Sequence, residues 1–298
     1  MNDTQIDRLP KKILLATDLT PACDRAFERA VQLAEQWDAE LTVFHVVESS
    51  SLRPWGLADR TKLAESEIAN LVRDGRPPLK HDSKSLVVVG DPSERVVAMA
   101  RRDACDLLIT GPAHDGTFGQ KLFGSTAARI LRHTDRPVLA VRKRHHGPYA
   151  KISVAVDFSP PSRGAFDFAL ALFPKAAFTL VHAYEVSLDW GGRNADRAMD
   201  EVEADEKQRV LRTLEQDMQS FLRANDPAGS IHTILEQGPP TRVMAEHVDK
   251  HWPDLIVTGT YGRSGIEQAL IGSVAEGLLR SLMCDVLAVR PKVEKTTV

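Results

Sequence analysis

Glycine, serine and arginine cluster in one stretch of the second half of the chain, directly after a short apolar run. Gly259 is followed three residues later by Gly262 and Arg263, and nine residues then separate Gly262 from Gly272-Ser273. Glycine after a parallel strand lets the backbone turn tightly and approach a ligand closely. A helix starting at Gly272-Ser273 would present free N–H groups and a positive dipole end, which suit a triphosphate. This stretch is therefore predicted to bind phosphate groups, with Arg263 adding a positive charge.

Two further features are predicted to complete this site. Ser273, with Glu276 three residues later, has the spacing of a capping box, which predicts a helix over Val274–Leu282. Asp157 follows another apolar run, which we predict to be the strand beside the glycine loop. Open α/β sheets bind ligands in the crevice beyond the carboxyl ends of such strands. Asp157 is therefore expected to accept hydrogen bonds from a ribose or a base.

The elements that must position these residues occur twice, because the 298-residue chain contains an internal repeat. Residues 106–142 align without a gap to residues 254–290, with 16 identities in 37 positions. Two shorter blocks recur in the same order, Lys12–Pro21 as Lys151–Pro160 and Leu41–Val46 as Phe178–Ala183. The repeat predicts two domains, 1–145 and 148–298, joined by a linker at about 143–150.

Each copy alternates short β-branched runs with amphipathic stretches of helical period, which is typical of an α/β fold. The runs are apolar at nearly every position, as expected for parallel strands covered by helices on both faces. The strands are predicted at Lys12–Thr17, Leu41–Val47, Ser85–Val89, Leu107–Thr110, Pro137–Val141, Lys151–Val156, Phe178–Ala183, Ile231–Glu236, Leu255–Thr258 and Asp285–Val289. The sequence thus predicts two tandem, doubly wound, five-stranded parallel sheets with a Rossmann-like arrangement.

Helix starts are marked by a capping side chain followed by proline. Thr20-Pro21, Ser159-Pro160 and Asp91-Pro92 all have this pattern, and Glu94 would close a capping box with Asp91. A long, charged and exposed helix is predicted over 196–223.

The first copy departs from the second in its glycine loop. It retains four candidate positions, Asp18, Gly111, Gly124 and Ser125. His114 stands where the second copy has Gly262, and Pro112 stiffens the turn and removes an N–H donor. Ala128 replaces the capping glutamate. The first copy is therefore predicted to be a degenerate, structural site; the alternative is that it binds a different small molecule, with His114 as a ligand or base.

Composition excludes several other classes of function. A net charge of −3 does not favour nucleic acid as a partner, and three scattered cysteines favour buried thiols over disulfides or a metal site. The N-terminus lacks a signal-peptide pattern, and no apolar run approaches the ~20 residues of a membrane helix. We expect a cytoplasmic protein without a membrane partner.

The glycine spacing, together with Asp157 and the run LVHA, resembles the universal stress protein family over nearly the whole chain. The resemblance implies an adenine-nucleotide-hydrolase-like fold and ATP, with Mg²⁺ carried by the nucleotide. It implies that adenosine is held by Asp157 and Ala183, the ribose by Gly259, and the phosphates by Gly262, Arg263, Gly272, Ser273 and Val274. Ala155 and Ser159 belong to the same implied set. Tyr261 departs from the family's usual histidine.

The family also dimerises through its last strand. Both last strands contain VLAV, which is apolar on both faces, so the two copies are expected to pack as an internal pseudo-dimer through Val138–Val141 and Val286–Val289. Whether the chain also forms a homodimer or has a protein partner stays open.

Three functions remain open from the residues. The first is a nucleotide-binding stress regulator, the second a nucleotide-independent scaffold or binder of another molecule, and the third a slow ATPase or autokinase. The Walker A, GxSxG and HExxH motifs are absent from the sequence, so no catalytic residue is assigned. His45 and His182 recur among apolar neighbours and are expected to be structural.

Overall fold

The computed structural model describes residues 9–48, 54–74, 83–112, 125–144, 147–185, 199–222, 231–260 and 272–290. The first half of the chain contains β1 (Lys12–Thr17), α1 (Asp24–Trp37), β2 (Glu40–Glu48), α2 (Pro54–Asp74), β3 (Lys84–Gly90), α3 (Pro92–Arg102), β4 (Leu107–Thr110), α4 (Ser125–His133) and β5 (Val138–Ala140). The second half contains β6 (Lys151–Ala155), α5 (Pro160–Leu172), β7 (Ala177–Tyr184), α6 (Met199–Leu222), β8 (His232–Gln237), α7 (Pro240–His251), β9 (Leu255–Gly259), α8 (Ser273–Ser281) and β10 (Asp285–Val289).

The two halves share one ten-stranded sheet, in the order β3-β2-β1-β4-β5-β10-β9-β6-β7-β8. Within each half neighbouring strands are parallel, and their order reverses between the first and fourth strands. The halves meet where β5 pairs antiparallel with β10, with Leu139 opposite Leu287. The predicted α/β fold and the pairing of the last strands are both confirmed.

Helices cover both faces of the sheet, which explains why the central strands are apolar at successive positions. Every residue of β4, β5 and β10 is buried. One core layer continues across the junction of the halves, because the Phe173 ring lies 5.7 Å from that of Trp37 and 5.3 Å from that of Tyr149. Burial of this shared apolar surface stabilises the two halves together.

A buried polar cluster joins the halves beside this core. The Asp285 carboxylate accepts hydrogen bonds from the N–H groups of Arg142 and Lys143, at 2.7 and 2.9 Å, and from the Tyr149 hydroxyl at 2.6 Å. The Arg29 guanidinium lies 3.9 Å from the same carboxylate and over the Tyr149 ring. Asp285 is fully buried, so its negative charge depends on these partners from the first half and the linker.

Two of the three predicted proline-marked helix starts are confirmed. Asp91 caps α3 by accepting the Glu94 N–H at 3.0 Å, and Ser159 precedes α5 with proline at the first helical position. The prediction at Thr20 is wrong, because α1 begins only at Asp24. The Thr20 N–H and hydroxyl donate to the Asp18 carboxylate, and the Thr20 carbonyl accepts the Cys23 N–H at 2.8 Å in a turn that precedes α1.

None of the helices in the described ranges is long and apolar enough to cross a bilayer.

Candidate functional site

The second half has a cavity of about 380 Å³ at the carboxyl ends of its parallel strands. It lies where the strand order reverses between β6 and β9, which is the usual ligand position in an open α/β sheet. The structure brings together, in its lining, seven residues predicted from the sequence: Ala155, Asp157, Ala183, Gly259, Gly272, Ser273 and Val274. Ser159 does not line the cavity but binds Asp157. Gly262 and Arg263 lie outside the described residues.

Sequence reasoning missed several residues of this lining. Pro240 and Met244 reach the cavity from α7, where they lie one helical turn apart on the same face. Their i, i+4 spacing was the available signal, but an apolar helix face also fits ordinary core packing. Ser162, in the first turn of α5, lines the cavity as well.

Asp157 is held in a fixed turn at the mouth of the cavity. One carboxylate oxygen accepts the Ser159 N–H at 3.0 Å and the Ser159 hydroxyl at 2.5 Å. Phe158, between them, has a left-handed backbone with φ of 61°, which is uncommon for a residue other than glycine. Leu19 has φ of 60° at the equivalent turn of the first half. The turn thus orients this carboxylate before any ligand arrives.

Gly259 is required by packing at the end of β9. A Cβ there would lie 3.0 Å from the carbonyl oxygen of Pro161 and 3.2 Å from the Ser162 nitrogen. The missing side chain therefore lets the end of the strand approach the first turn of α5. In the first half, a Cβ on Gly111 would lie 2.6 Å from the Cys23 sulfur, so the same close approach is used there.

The N-terminus of α8 borders the cavity. Gly272 is its N-cap residue, with no side-chain capping bond, and Ser273 is the first helical residue. The predicted capping box is wrong in both members, since Ser273 is not the cap. The Glu276 carboxylate instead contacts Arg132 of α4 at 2.8 Å. Arg132 belongs to the first half, and this contact holds the Glu276 side chain towards α4.

Thr260 links the end of β10 to the start of α8. Its N–H donates to the Val289 carbonyl at 3.0 Å, and its own carbonyl accepts the Gly272 N–H at 2.7 Å. The Thr260 hydroxyl is buried and has no hydrogen-bond partner among the described residues. These backbone bonds tie the start of α8 to the end of β10.

The two strand histidines have structural roles, as predicted. His182 Nδ1 lies 2.7 Å from the Val156 carbonyl oxygen, and its ring stacks on Phe158 at 4.3 Å. His45 Nδ1 lies 2.9 Å from the Thr17 carbonyl oxygen in the first half. Bonding to a carbonyl requires the proton on Nδ1, so each ring braces the strand end before the aspartate turn.

The first half retains part of the arrangement with different chemistry. Asp18 follows β1 and Gly111 follows β4, while Ser125 begins α4; His114 and Gly124 lie outside the described residues. Cys23 occupies the position equivalent to Ser162 in the repeat, and burial raises the pKa of its thiol to about 12. A neutral, buried thiol replaces the hydroxyl at this point.

These features can be compared with known proteins. The profile of the universal stress protein family matches residues 10–142 and again residues 148–290. The chain belongs to the universal stress protein family. It is a tandem member, because both halves match.

Its relatives are similar over different lengths. A universal stress protein of Mycolicibacterium smegmatis is 24% identical over 292 residues, covering 94% of this chain and 97% of the relative. Universal stress protein A homolog 2 of Coxiella burnetii is 31% identical over 147 residues, covering 48% of this chain and 97% of that protein.

Solved structures support the tandem fold. A Pseudomonas aeruginosa protein described as functionally unknown has a TM-score of 0.69 at 19% identity, covering 95% of this chain and 93% of its own. A universal stress protein of Archaeoglobus fulgidus has a TM-score of 0.62 at 18% identity, covering 94% and 98%. At these identities the likeness concerns the fold.

Proposed function

We propose that this tandem universal stress protein binds ATP with Mg²⁺ in the cavity of its second domain, 148–298, and acts as a cytoplasmic regulator. The observation that carries the proposal is the cavity of about 380 Å³ at the strand-order reversal, bordered by the N-terminus of α8. Its volume is at the lower end of the ~300–1,000 Å³ usual for small-molecule sites. The first domain, 1–145, is proposed not to bind nucleotide.

The adenosine would occupy the end of the cavity formed by β6 and β7. Ala155 and Ala183 line this end with small side chains, which leave space for a flat base. The Asp157 carboxylate, oriented by Ser159, would accept hydrogen bonds from the ribose hydroxyls. Carboxylate acceptors suit hydroxyl donors, and a preset orientation reduces the entropy lost on binding.

The phosphates would lie at the α8 end. The first N–H groups of a helix lack intrahelical acceptors, and no side chain of the Gly272 cap replaces them. Gly272, Ser273 and Val274 all line the cavity here. Gly262 and Arg263 would complete this end, as the glycine spacing predicts. The Gly272 N–H already donates to the Thr260 carbonyl, so the N–H groups of Ser273 and Val274, with the Gly262 backbone and the Arg263 cation, would bind the triphosphate.

A regulatory role is favoured over rapid catalysis by the chemistry of the lining. Among the described lining residues Asp157 alone is ionisable, and it accepts bonds from Ser159. Phosphoryl transfer requires groups that orient the attacking water and stabilise the moving phosphoryl group. We therefore expect turnover to be slow or negligible, with nucleotide occupancy altering conformation or partner binding.

Calorimetric titration of the intact chain with Mg-ATP tests the proposal. Ala183→Leu should fill the base end and weaken binding roughly 5- to 150-fold, because overpacking costs roughly 1–3 kcal/mol. Val46→Leu is the matched control, since Val46 is the equivalent residue of the first half. It should leave the Kd within about twofold, or ~0.4 kcal/mol. Absence of ATP binding to the unmodified chain, or equal weakening by both variants, would contradict the proposal.

A further inference from the structure

The helix whose N-terminus borders the nucleotide cavity is contacted by an arginine of the other half. Arg132, in the last turn of α4, has its guanidinium 2.8 Å from the Glu276 carboxylate in the first turn of α8. Arg280 of the same helix is more distant from that carboxylate, at 3.7 Å. The Arg132 and Glu276 side chains are 42% and 24% exposed, so the pair is partly shielded from solvent.

The first half also holds the other end of α8. The Arg142 guanidinium donates to the carbonyl oxygens of Leu279 and Leu282 at the C-terminal end of that helix. The arrangement is reciprocal there, because Arg290 donates to the Thr134 carbonyl just beyond α4 at 2.5 Å. Both helices are thus capped by an arginine from the opposite half, which fixes their relative position.

The contact at the first turn is not reciprocal. The residue equivalent to Glu276 in the first half is Ala128, and the residue equivalent to Arg132 is Arg280. Alanine offers no carboxylate, so Arg280 turns to Glu276 on its own helix. The ion pair at the first turn is therefore specific to the half that contains the proposed nucleotide site.

The negative charge of Glu276 disfavours the proposed binding of phosphates at the N-terminus of α8. A carboxylate in the first turn, three residues after Ser273, stabilises an empty helix N-terminus but repels bound phosphates. Arg132 offsets that charge and holds the carboxylate towards α4. Without Arg132, the more distant Arg280, at 3.7 Å, would be left to offset the Glu276 charge near the N–H groups that the phosphates need.

We propose that Arg132 is a positioning residue of the second domain's phosphate site, so that the first domain supplies part of the charge needed to bind ATP. The inference rests on the proposed nucleotide function. It adds that the ATP affinity of the second domain depends on a charged residue of the first domain. Arg132 acts through Glu276 and is not proposed to touch the nucleotide.

The test compares three ligands by calorimetry with the full chain: Mg-ATP, Mg-ADP and adenosine. Arg132→Gln should weaken Mg-ATP about fivefold, which corresponds to ~1 kcal/mol, and should weaken adenosine less than about twofold. The loss should shrink at high salt because the pair is partly exposed. Arg132→Lys keeps the charge and should stay within about twofold of the unmodified chain.

Glu276→Gln and the double variant separate charge from folding. If Arg132 acts by offsetting Glu276, Arg132→Gln should cost little once Glu276 is Gln, so the double variant should bind Mg-ATP within about twofold of the single Glu276→Gln variant. Arg129→Gln is the matched control, because Arg129 lies on the same helix and pairs with Asp91 instead. It should leave the Kd for all three ligands unchanged.

Two results would overturn the inference while leaving the nucleotide proposal intact. One is Mg-ATP affinity unaltered by Arg132→Gln. The other is an equal loss for Mg-ATP and adenosine that Glu276→Gln does not correct, which would indicate a purely structural role. An unmodified chain that binds none of the three ligands would refute the nucleotide proposal and this inference together.

Discussion

Replacing Asp285 by alanine should destabilise the whole chain, because this carboxylate joins the two halves. The substitution would leave the Tyr149 hydroxyl and two backbone N–H groups without their acceptor, and the buried Arg29 guanidinium without its counter-ion. Removing one partner of a buried ion pair costs about 3–5 kcal/mol. With an unfolding entropy of roughly 2.1 cal/mol/K per residue, a single transition of 298 residues would lose about 5–8 °C in Tm.

Two further variants provide a partial loss of the Asp285 contacts and a surface control. Tyr149→Phe removes one hydrogen bond to a charged acceptor and should cost about 1.5–3 kcal/mol. Glu246→Ala is the control, because its pair with Arg242 is exposed at 3.7 Å and should contribute less than about 1 kcal/mol. Calorimetric and denaturant unfolding of the intact variants measure these differences. A loss below about 1 kcal/mol for Asp285→Ala would refute the view that its charge depends on partners from the first half and linker.

Three other outcomes are expected. Burial lowers the pKa of His247, which lies 2.8 Å from the Ser153 hydroxyl, to about 4. The unfolded chain therefore binds a proton at His247 as the pH falls below about 6.5, whereas the folded chain does so only near pH 4. The contribution of His247 to the free energy of unfolding is full above pH 6.5 and should fall by about 1–3 kcal/mol towards pH 4. The double change Ser153→Leu with His247→Met introduces the residues found at the equivalent positions of the first half and should reduce this decline. The measurement is the unfolding midpoint as a function of pH. A profile unchanged by the double change would exclude His247 as the cause of the decline. Burial raises the thiol pKa values of Cys23, Cys105 and Cys284 to about 12. Alkylation of these thiols at neutral pH, followed by mass spectrometry, should therefore be slow until the chain unfolds. Rapid labelling of the native chain would contradict this expectation. Changing all three to serine should keep the Kd for ATP within about threefold, or under ~1 kcal/mol.

The sheet was predictable because its signal is local. Strands at Lys12–Thr17, Leu107–Thr110 and Asp285–Val289 have the predicted bounds, since each contains an uninterrupted apolar run of the kind that a sheet covered on both faces accommodates. The pairing of β5 with β10 was predicted from two grounds, the apolar character of both faces of these strands and the resemblance to a family that dimerises through its last strand. The internal repeat then set the order of elements in the second half.

What the sequence did not predict depends on partners that are distant in the chain or compete locally. Glu276 has capping spacing, yet it pairs with Arg132, 144 residues away. Thr20 has the pattern of an N-cap, but a turn in which its carbonyl accepts the Cys23 N–H intervenes before α1 begins at Asp24. Met244 reaches the cavity because α7 packs against β7 and α8 and contacts β6 through His247 and Ser153. Spacing alone cannot distinguish these outcomes, since each is decided by packing geometry.

The central claim concerns where ATP binds, and a crystal structure of the intact chain grown with Mg-ATP tests it most directly. The account predicts one nucleotide per chain, in the second half. Its adenosine should lie beside Ala155 and Ala183, and its phosphates should meet the start of α8 at Gly272 and Ser273. If the cavity of the second half were empty at saturating ATP, or if nucleotide were bound in the first half alone, the result would contradict the account.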